Sequence, residues 1–262
     1  MAGLSIDEVW DDTRRFFTRE RALLLPLGFA TFGSAALVGG LVIPAPSAPG
    51  EPLTPGPWMI VLIPMLLLVT VGYLAISRMV LRARISVAEA LRDALRLMPR
   101  AIGVFAALGL AFVALSMMAA LVAMLLAAVA GAGGMVTLGM VLMLPPIVVV
   151  SVRLALLWPV LADREQPVRE TFIQAVALTR GRALRIAGLL IAYFVLYVLI
   201  VAVIEAAVGS VLIILARMAG APTLAPTLIS LTIAAFNAVY MTFWTVFLAR
   251  LYARLVTSER GG

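Results

Sequence analysis

The chain has 262 residues, of which 64% are hydrophobic and only 13% are charged, and its mean hydropathy is +1.13. A soluble domain is about half apolar and about one quarter charged, so this composition excludes a water-soluble globule and indicates a protein solvated by lipid. The net charge of +7 comes entirely from arginine, and the absence of cysteine and histidine removes disulfides, thiolate sites, and the commonest general base and zinc ligand.

Six long apolar runs follow one another along the chain, and each is long enough to cross a bilayer as a helix, which needs about 20 residues. They occupy residues 22–44, 58–77, 101–130, 135–161, 186–216 and 228–249. The sequence therefore predicts an all-α, polytopic membrane protein with six transmembrane helices and a single membrane domain over residues 1–262. Gly131-Ala132-Gly133-Gly134 predicts a tight turn between the third and fourth helices.

The arginines are distributed unevenly between the two sides of the predicted spans. Eighteen of the 20 lie before span one, between spans two and three, between spans four and five, or after span six. The opposite loops hold only Arg217, and Arg153 lies inside span four. Because cytoplasmic loops are enriched in positive charge, we predict a multi-pass protein of the bacterial inner membrane with cytoplasmic N and C termini. This orientation explains the basic charge without a nucleic-acid surface, and no nucleic-acid partner is predicted.

The segments on the arginine-rich side share a recurring pattern. Glu8, Glu89 and Glu170 each lie at the start of an amphipathic stretch, and both intervals between them are 81 residues. Each copy continues into an apolar span, an outer turn and a second span. The sequence therefore predicts three repeats of an amphipathic helix followed by a helical hairpin, over about residues 5–85, 86–166 and 167–250.

The amphipathic stretches have the signals of helix starts. Ser5 and Ser86 each precede a glutamate by three residues and match the capping box, whereas Pro167 takes the place of serine in the third copy. Two interpretations remain open for these helices. They can lie in the membrane interface with arginines towards anionic headgroups, or pack as ordinary helices on the cytoplasmic ends of the spans.

One region resembles a known family of bacterial membrane proteins. The motif Leu157-Trp158-Pro159-Val160-Leu161, residues 168–178 and the motif Thr179-Arg180-Gly181-Arg182 resemble the six-helix membrane domain attached to some bacterial glycerophosphodiester phosphodiesterases, and related free-standing membrane proteins. Residues 5–17 look like the N-terminal cytoplasmic helix of that domain. The resemblance implies the six-helix membrane fold. It does not imply hydrolysis, because the catalytic domain is absent from this chain and there is no histidine to catalyse the reaction.

Two ionisable residues inside the apolar spans, Arg153 and Glu205, are functional candidates by default, and Asn237 is a third polar candidate for the same intramembrane site. Arg153 lies about 16 Å from the arginine-rich side at 1.5 Å per residue, and Glu205 lies about 30 Å from it. Arg153 follows Pro145-Pro146, which is expected to kink or break its helix and free backbone carbonyls. Asn237 in span six is a possible hydrogen-bonding partner of Arg153, and Glu205 is expected near the outer headgroups or Arg217.

These observations leave two main functions open. The first is a non-enzymatic membrane module that acts on lipids, the envelope or a partner protein, with anionic headgroups at the cytoplasmic face as its expected partners. The alternative is a transporter or permease subunit with a polar intramembrane site near Arg153. An intramembrane enzyme is disfavoured because histidine and cysteine are missing, and no cofactor or metal site is predicted.

Overall fold

The computed structural model describes residues 6–44, 54–82, 85–130, 135–164, 166–221 and 223–260. Regular secondary structure within these ranges is entirely helical. The α-helices are α1 (Ile6–Gly28), α2 (Ser34–Val42), α3 (Trp58–Leu81), α4 (Val87–Ala130), α5 (Met135–Leu154), α6 (Leu157–Asp163), α7 (Val168–Thr179), α8 (Ala183–Val203), α9 (Gly209–Met218) and α10 (Leu224–Arg260). Ser5 and the predicted turn at residues 131–134 lie outside the described residues.

Six helical segments are long and apolar enough to cross a membrane. They are Asp7–Val42, Trp58–Leu81, Val87–Val122, Pro145–Asp163, Ala183–Met218 and Leu224–Thr257. Each falls on one of the six apolar runs of the sequence. The prediction of a helical chain with six candidate membrane spans is therefore confirmed for the described residues.

Three of the spans are built from more than one helical segment, namely Asp7–Val42, Pro145–Asp163 and Ala183–Met218, and in the first and third of these a π-helical turn joins the segments. A π-helical turn at Phe29–Gly33 joins α1 to α2, and a second one at Ile204–Val208 joins α8 to α9. The residues that flank both turns keep right-handed helical dihedrals, so the backbone runs through without leaving the helix. A π turn adds a residue to one helical turn and rotates the side chains that follow it relative to those before it.

The repeat pattern predicted that each amphipathic stretch is a separate helix. The first two stretches are not. They form the opening turns of α1 and of the 44-residue helix α4, which runs on through Pro99 into its span. Only the third stretch, α7, ends before its span. Gly181 follows α7 with a φ of +76°, a left-handed conformation that most residues avoid, and this turn separates α7 from α8.

The amphipathic stretches bury equivalent residues in the core. Val9, Ala90 and Thr171 are fully buried, and so are the residues four positions later in each stretch. Those three later residues are Thr13, Ala94 and Ala175. Each of these two sets has the same 81-residue spacing as the glutamates. The buried faces favour the second interpretation of these stretches, in which they pack on the ends of the spans.

The helices with the most buried residues pack against one another towards the arginine-rich ends. Helix α3 packs against α4, α6 and α10, while α6 also contacts α7 and α10 contacts α1. Small residues permit the closest approaches: a Cβ atom added to Gly28 would lie 1.9 Å from Oγ1 of Thr242, and one added to Gly72 would lie 2.5 Å from Oγ1 of Thr31. By contrast, α8 and the membrane half of α4 expose most of their apolar side chains, as helices in contact with lipid do.

Candidate functional site

Arg153 is the residue with the strongest sequence argument for an intramembrane site. It is half-buried in the last turn of α5, a helix that packs against α4, α7 and α8. Among the described residues, no hydrogen bond or ion pair joins Arg153 to Asn237 or to Glu205. The grouping of these three residues into one ligand site stays a prediction.

The expected helix break lies at a different place from the two prolines. Helix α5 continues through Pro145 and Pro146 and ends at Leu154. The chain then makes a turn, in which Leu156 has φ −93° and ψ 8°, before α6 begins. The interruption therefore follows Arg153 directly, on the arginine-rich side, so the prolines alone do not end the helix.

Asn237 has a partner that the sequence analysis did not identify. Its Nδ2 atom donates a hydrogen bond of 3.1 Å to the hydroxyl oxygen of Tyr197, which links α10 to α8. Both residues line a groove of about 410 Å³ between these helices, together with Leu190, Tyr193, Phe194, Tyr240, Met241 and Trp244. Among the described residues, no charged side chain lines this groove, so its chemistry suits neutral groups.

A reciprocal hydrogen-bonded pair closes one side of the same groove. The Tyr193 hydroxyl donates to the Tyr240 carbonyl at 2.7 Å, and the Tyr240 hydroxyl donates to the Tyr193 carbonyl. The two rings are stacked with centroids 4.1 Å apart, and Trp244 stacks on Tyr193 at 3.9 Å. These bonds hold α8 against α10, so the two tyrosines have a structural role. The sequence analysis missed the pair, because residues 47 apart in the chain carry no local signal.

Glu205 lies in the π-helical turn between α8 and α9 and is exposed. The sequence analysis expected it near the outer headgroups or Arg217. No ion pair joins Glu205 to Arg217 in the described part of the chain. Glu205 follows the last residue of α8 by two positions, and its depth in a membrane stays a prediction.

Among the described residues, the most deeply buried charge belongs to an arginine that the sequence places in a loop. Arg78 is 1% exposed, near the end of α3, and its Nη1 atom lies 3.8 Å from Oδ2 of Asp93 on α4. Asp93 also accepts a 3.1 Å hydrogen bond from Arg82. Arg78 directly follows the apolar run of residues 58–77, and the next three residues, 79–81, are apolar again; this continuation is the signal that could have marked it as more than a loop arginine.

A cleft of about 870 Å³ lies beside α1 on the same arginine-rich side. Its walls include Phe16, Arg19, Leu23, Met79, Ile85 and Arg250. Two guanidinium groups lie near the Phe16 ring, with Cζ of Arg250 4.3 Å and Cζ of Arg19 5.6 Å from its centroid. We call this space the Phe16 cleft. It combines these cationic groups and the carboxylate of Glu20 with apolar walls, so it offers contacts to both the charged and the apolar part of an amphiphilic anion.

The outer face of α7 has an unusual composition for a surface helix. Thr171, Ala175 and Leu178 are buried against the core, whereas Ile173 and Val176 on the opposite face are exposed. Arginines at positions 169 and 180 are exposed on that same outer face. Leu184, just after the turn that follows α7, is 90% exposed and is next to the exposed Arg185.

No family model matches this chain, and neither a curated protein nor a solved structure does. Among the described residues, no cluster of three or more acidic, histidine or cysteine side chains is arranged to hold a metal ion. The functional argument for this protein therefore rests on its own geometry.

Proposed function

We propose that this protein is a non-enzymatic module of the bacterial inner membrane whose cytoplasmic face binds anionic lipid headgroups. The observation that carries the proposal is the outer face of α7, where Ile173 is 55% exposed between the exposed arginines 169 and 180. A helix face that met only water would not present isoleucine and valine together. A face at the membrane interface places such side chains among the acyl chains and its arginines among the phosphates.

The charge distribution supports the same orientation. The arginines on the proposed cytoplasmic side flank the spans, where each cationic side chain near an anionic surface contributes about 1 kcal/mol of attraction. Several of them are also bonded to carboxylates: Arg254 lies 2.7 Å from Glu8, and Arg250 lies 3.6 Å from Asp12. These ion pairs hold α10 against α1 on the proposed cytoplasmic side.

The proposed architecture is three repeats around a common centre. In support, α4 packs on α3, α7 on α6 and α1 on α10, so each amphipathic stretch contacts the second span of another unit. The equivalent burial of Val9, Ala90 and Thr171 fits the same arrangement. This architecture also agrees with the proposed resemblance to the membrane domain of glycerophosphodiester phosphodiesterases.

Single-cysteine labelling tests the lipid-binding role of α7, because the chain has no cysteine of its own. Ile173→Cys and Glu170→Cys are labelled with an environment-sensitive fluorophore and placed in nanodiscs with or without phosphatidylglycerol. We expect the label at position 173 to emit at shorter wavelength and to be quenched by a lipid-borne quencher, most strongly in the anionic discs. The label at position 170 is the matched control and should stay in water.

One labelling outcome would contradict the proposed function. If the labels at positions 173 and 170 report the same aqueous environment in both kinds of disc, the outer face of α7 does not meet lipid. The proposed function then fails, whatever the rest of the chain binds.

A further inference from the structure

The two arginines of the Phe16 cleft have N–H donors that the neighbouring carboxylates of the protein do not occupy. Arg250 projects from α10 beside the Phe16 ring, and its ion pair with Asp12 is long, at 3.6 Å. Its Nε atom has no hydrogen-bond partner among the described residues. A guanidinium has five N–H donors, so the long ion pair with Asp12 leaves Arg250 able to donate to an anionic ligand.

A second guanidinium, that of Arg19, also lies near the Phe16 ring, with its Cζ atom 5.6 Å from the ring centroid. Arg19 donates from Nε to Glu20 at 2.9 Å, and its side chain is otherwise largely exposed. Two guanidiniums around one cleft can together bind a phosphate, which accepts paired hydrogen bonds from each of them. The nearby Asp12 and Glu20 carboxylates compete with such a ligand and set a limit on its affinity.

The remaining walls distinguish a lipid from a small soluble anion. Leu23, Met79, Leu81 and Ile85 give the cleft an apolar side, and its volume of about 870 Å³ lies within the range of sites for amphiphilic ligands. A free phosphate would leave this apolar surface in contact with water. A glycerophospholipid would cover it with the first part of an acyl chain.

We infer that the Phe16 cleft binds one glycerophospholipid, whose phosphate bonds to Arg250 and Arg19 while its proximal acyl chain packs on Leu23 and Met79. This inference rests on the proposed function, because it supplies a defined lipid site within a membrane face that attracts anionic lipids in general. The site differs from the α7 surface in being a concave pocket for a single molecule.

Binding to the detergent-solubilised full-length chain tests the assignment, measured by native mass spectrometry and by ligand-induced thermal stabilisation. The probes are dioctanoyl phosphatidic acid, neutral dioctanoylglycerol and soluble glycerol 3-phosphate. We expect only the phosphatidic acid to bind well. Equal binding of glycerol 3-phosphate would assign the cleft to a soluble phosphate, and equal binding of dioctanoylglycerol would show that the arginines take no part; either result overturns the inference.

Two variants with opposite expected effects on phosphatidic acid binding keep the test independent of folding defects, because a folding defect would not strengthen binding. Arg250→Gln should weaken phosphatidic acid binding about tenfold, the value of one good charge-assisted contact. Asp12→Asn removes the competing carboxylate and should strengthen binding. Arg254→Gln is the matched control, because it removes the same charge one turn further along α10, outside the cleft.

The outcomes separate this inference from the proposed function. Equal weakening by Arg250→Gln and Arg254→Gln, or unchanged binding in Asp12→Asn, would reduce the effect to overall charge and overturn the cleft assignment. If that happens while the label at position 173 still reports lipid contact, the proposed function stands and the single-lipid site alone fails. If instead the label at position 173 reports water while the Phe16 cleft still binds phosphatidic acid, the proposed function fails and the single-lipid site stands.

Discussion

Arg78 on α3 and Asp93 on α4 form an ion pair at 3.8 Å, with the arginine 1% exposed, and a related pair joins Arg250 on α10 to Asp12 on α1. Asp12 and Asp93 are 81 residues apart, and the next position at that interval is Gln174 on α7. The Oε1 atom of Gln174 is buried without a hydrogen-bond partner among the described residues. Two of the three equivalent positions therefore carry an ion pair, whereas the third carries a neutral amide, on the one amphipathic stretch that forms a separate helix.

The buried ion pair makes Asp93 a critical residue for stability. We expect Asp93→Asn to lower the free energy of unfolding by about 3 kcal/mol, because a buried guanidinium loses its carboxylate. Thermal unfolding in detergent measures the change, with the exposed Asp11→Asn as control. Adding Arg78→Met should recover part of the loss. If Asp93→Asn melts like Asp11→Asn, the pair contributes no stability.

The approach of α1 to α10 depends on a glycine. Gly28→Ala would place a Cβ atom 1.9 Å from Oγ1 of Thr242, so we expect the helices to separate and the stability to fall by about 1–3 kcal/mol. Gly109→Ala is the matched control, because the corresponding Cβ has no neighbour within 4 Å and alanine favours the helix. Unfolding of the two variants side by side gives the measurement. A Gly28→Ala protein as stable as the control would contradict the packing of α1 on α10.

The reciprocal tyrosine bonds between α8 and α10 should also contribute to stability. Tyr193→Phe removes the hydroxyl that donates to the Tyr240 carbonyl, with an expected loss of about 1 kcal/mol in the membrane. Tyr73→Phe serves as control, because no described residue forms a hydrogen bond with the Tyr73 hydroxyl, although its ring stacks on Trp158. A lower melting temperature for Tyr193→Phe alone is the expected result. Equal melting temperatures for both variants would show that the reciprocal Tyr193–Tyr240 hydrogen bonds do not stabilise the protein.

Arg153 allows the transporter alternative to be tested. We expect Arg153→Leu to melt at the wild-type temperature or above it, because an arginine at membrane depth costs a few kcal/mol and no bond joins it to Asn237 or Glu205. Melting in detergent and mass spectrometry of co-purifying anions are the measurements. A lower melting temperature would show that Arg153 is a structural support. Loss of a bound anion from a folded mutant would favour the transporter.

The proposed orientation places both termini in the cytoplasm. Reporter fusions at Gly262 and at Ala48 should therefore report opposite compartments, the first cytoplasmic and the second periplasmic, because 18 of 20 arginines lie on the terminal side of the spans. Activity of paired cytoplasmic and periplasmic reporters gives the measurement. A periplasmic signal at Gly262 would contradict the orientation and, with it, the lipid face assigned to α7.

Local and compositional features were predictable from the sequence. The six apolar runs predicted the candidate spans, because the length needed to cross a bilayer can be read without knowing any neighbour. The Ser86–Glu89 capping box is present as predicted, with the Ser86 amide bonded to Glu89 Oε2 at 2.8 Å and the Glu89 amide bonded to Ser86 Oγ at 3.2 Å. Both partners lie within one turn, so their geometry follows from the helix start itself.

By itself, the amino-acid sequence determined that this chain is helical, has six apolar segments of membrane-spanning length and carries its arginines largely on one side of them. Only the tertiary structure decided that Arg78 is buried, that Asn237 bonds to Tyr197, and that Arg250 and Arg19 lie near Phe16. These relationships depend on how each helix is rotated about its axis and which helix it meets. Rotation and partner choice come from packing between residues far apart in the chain, and no local pattern encodes them.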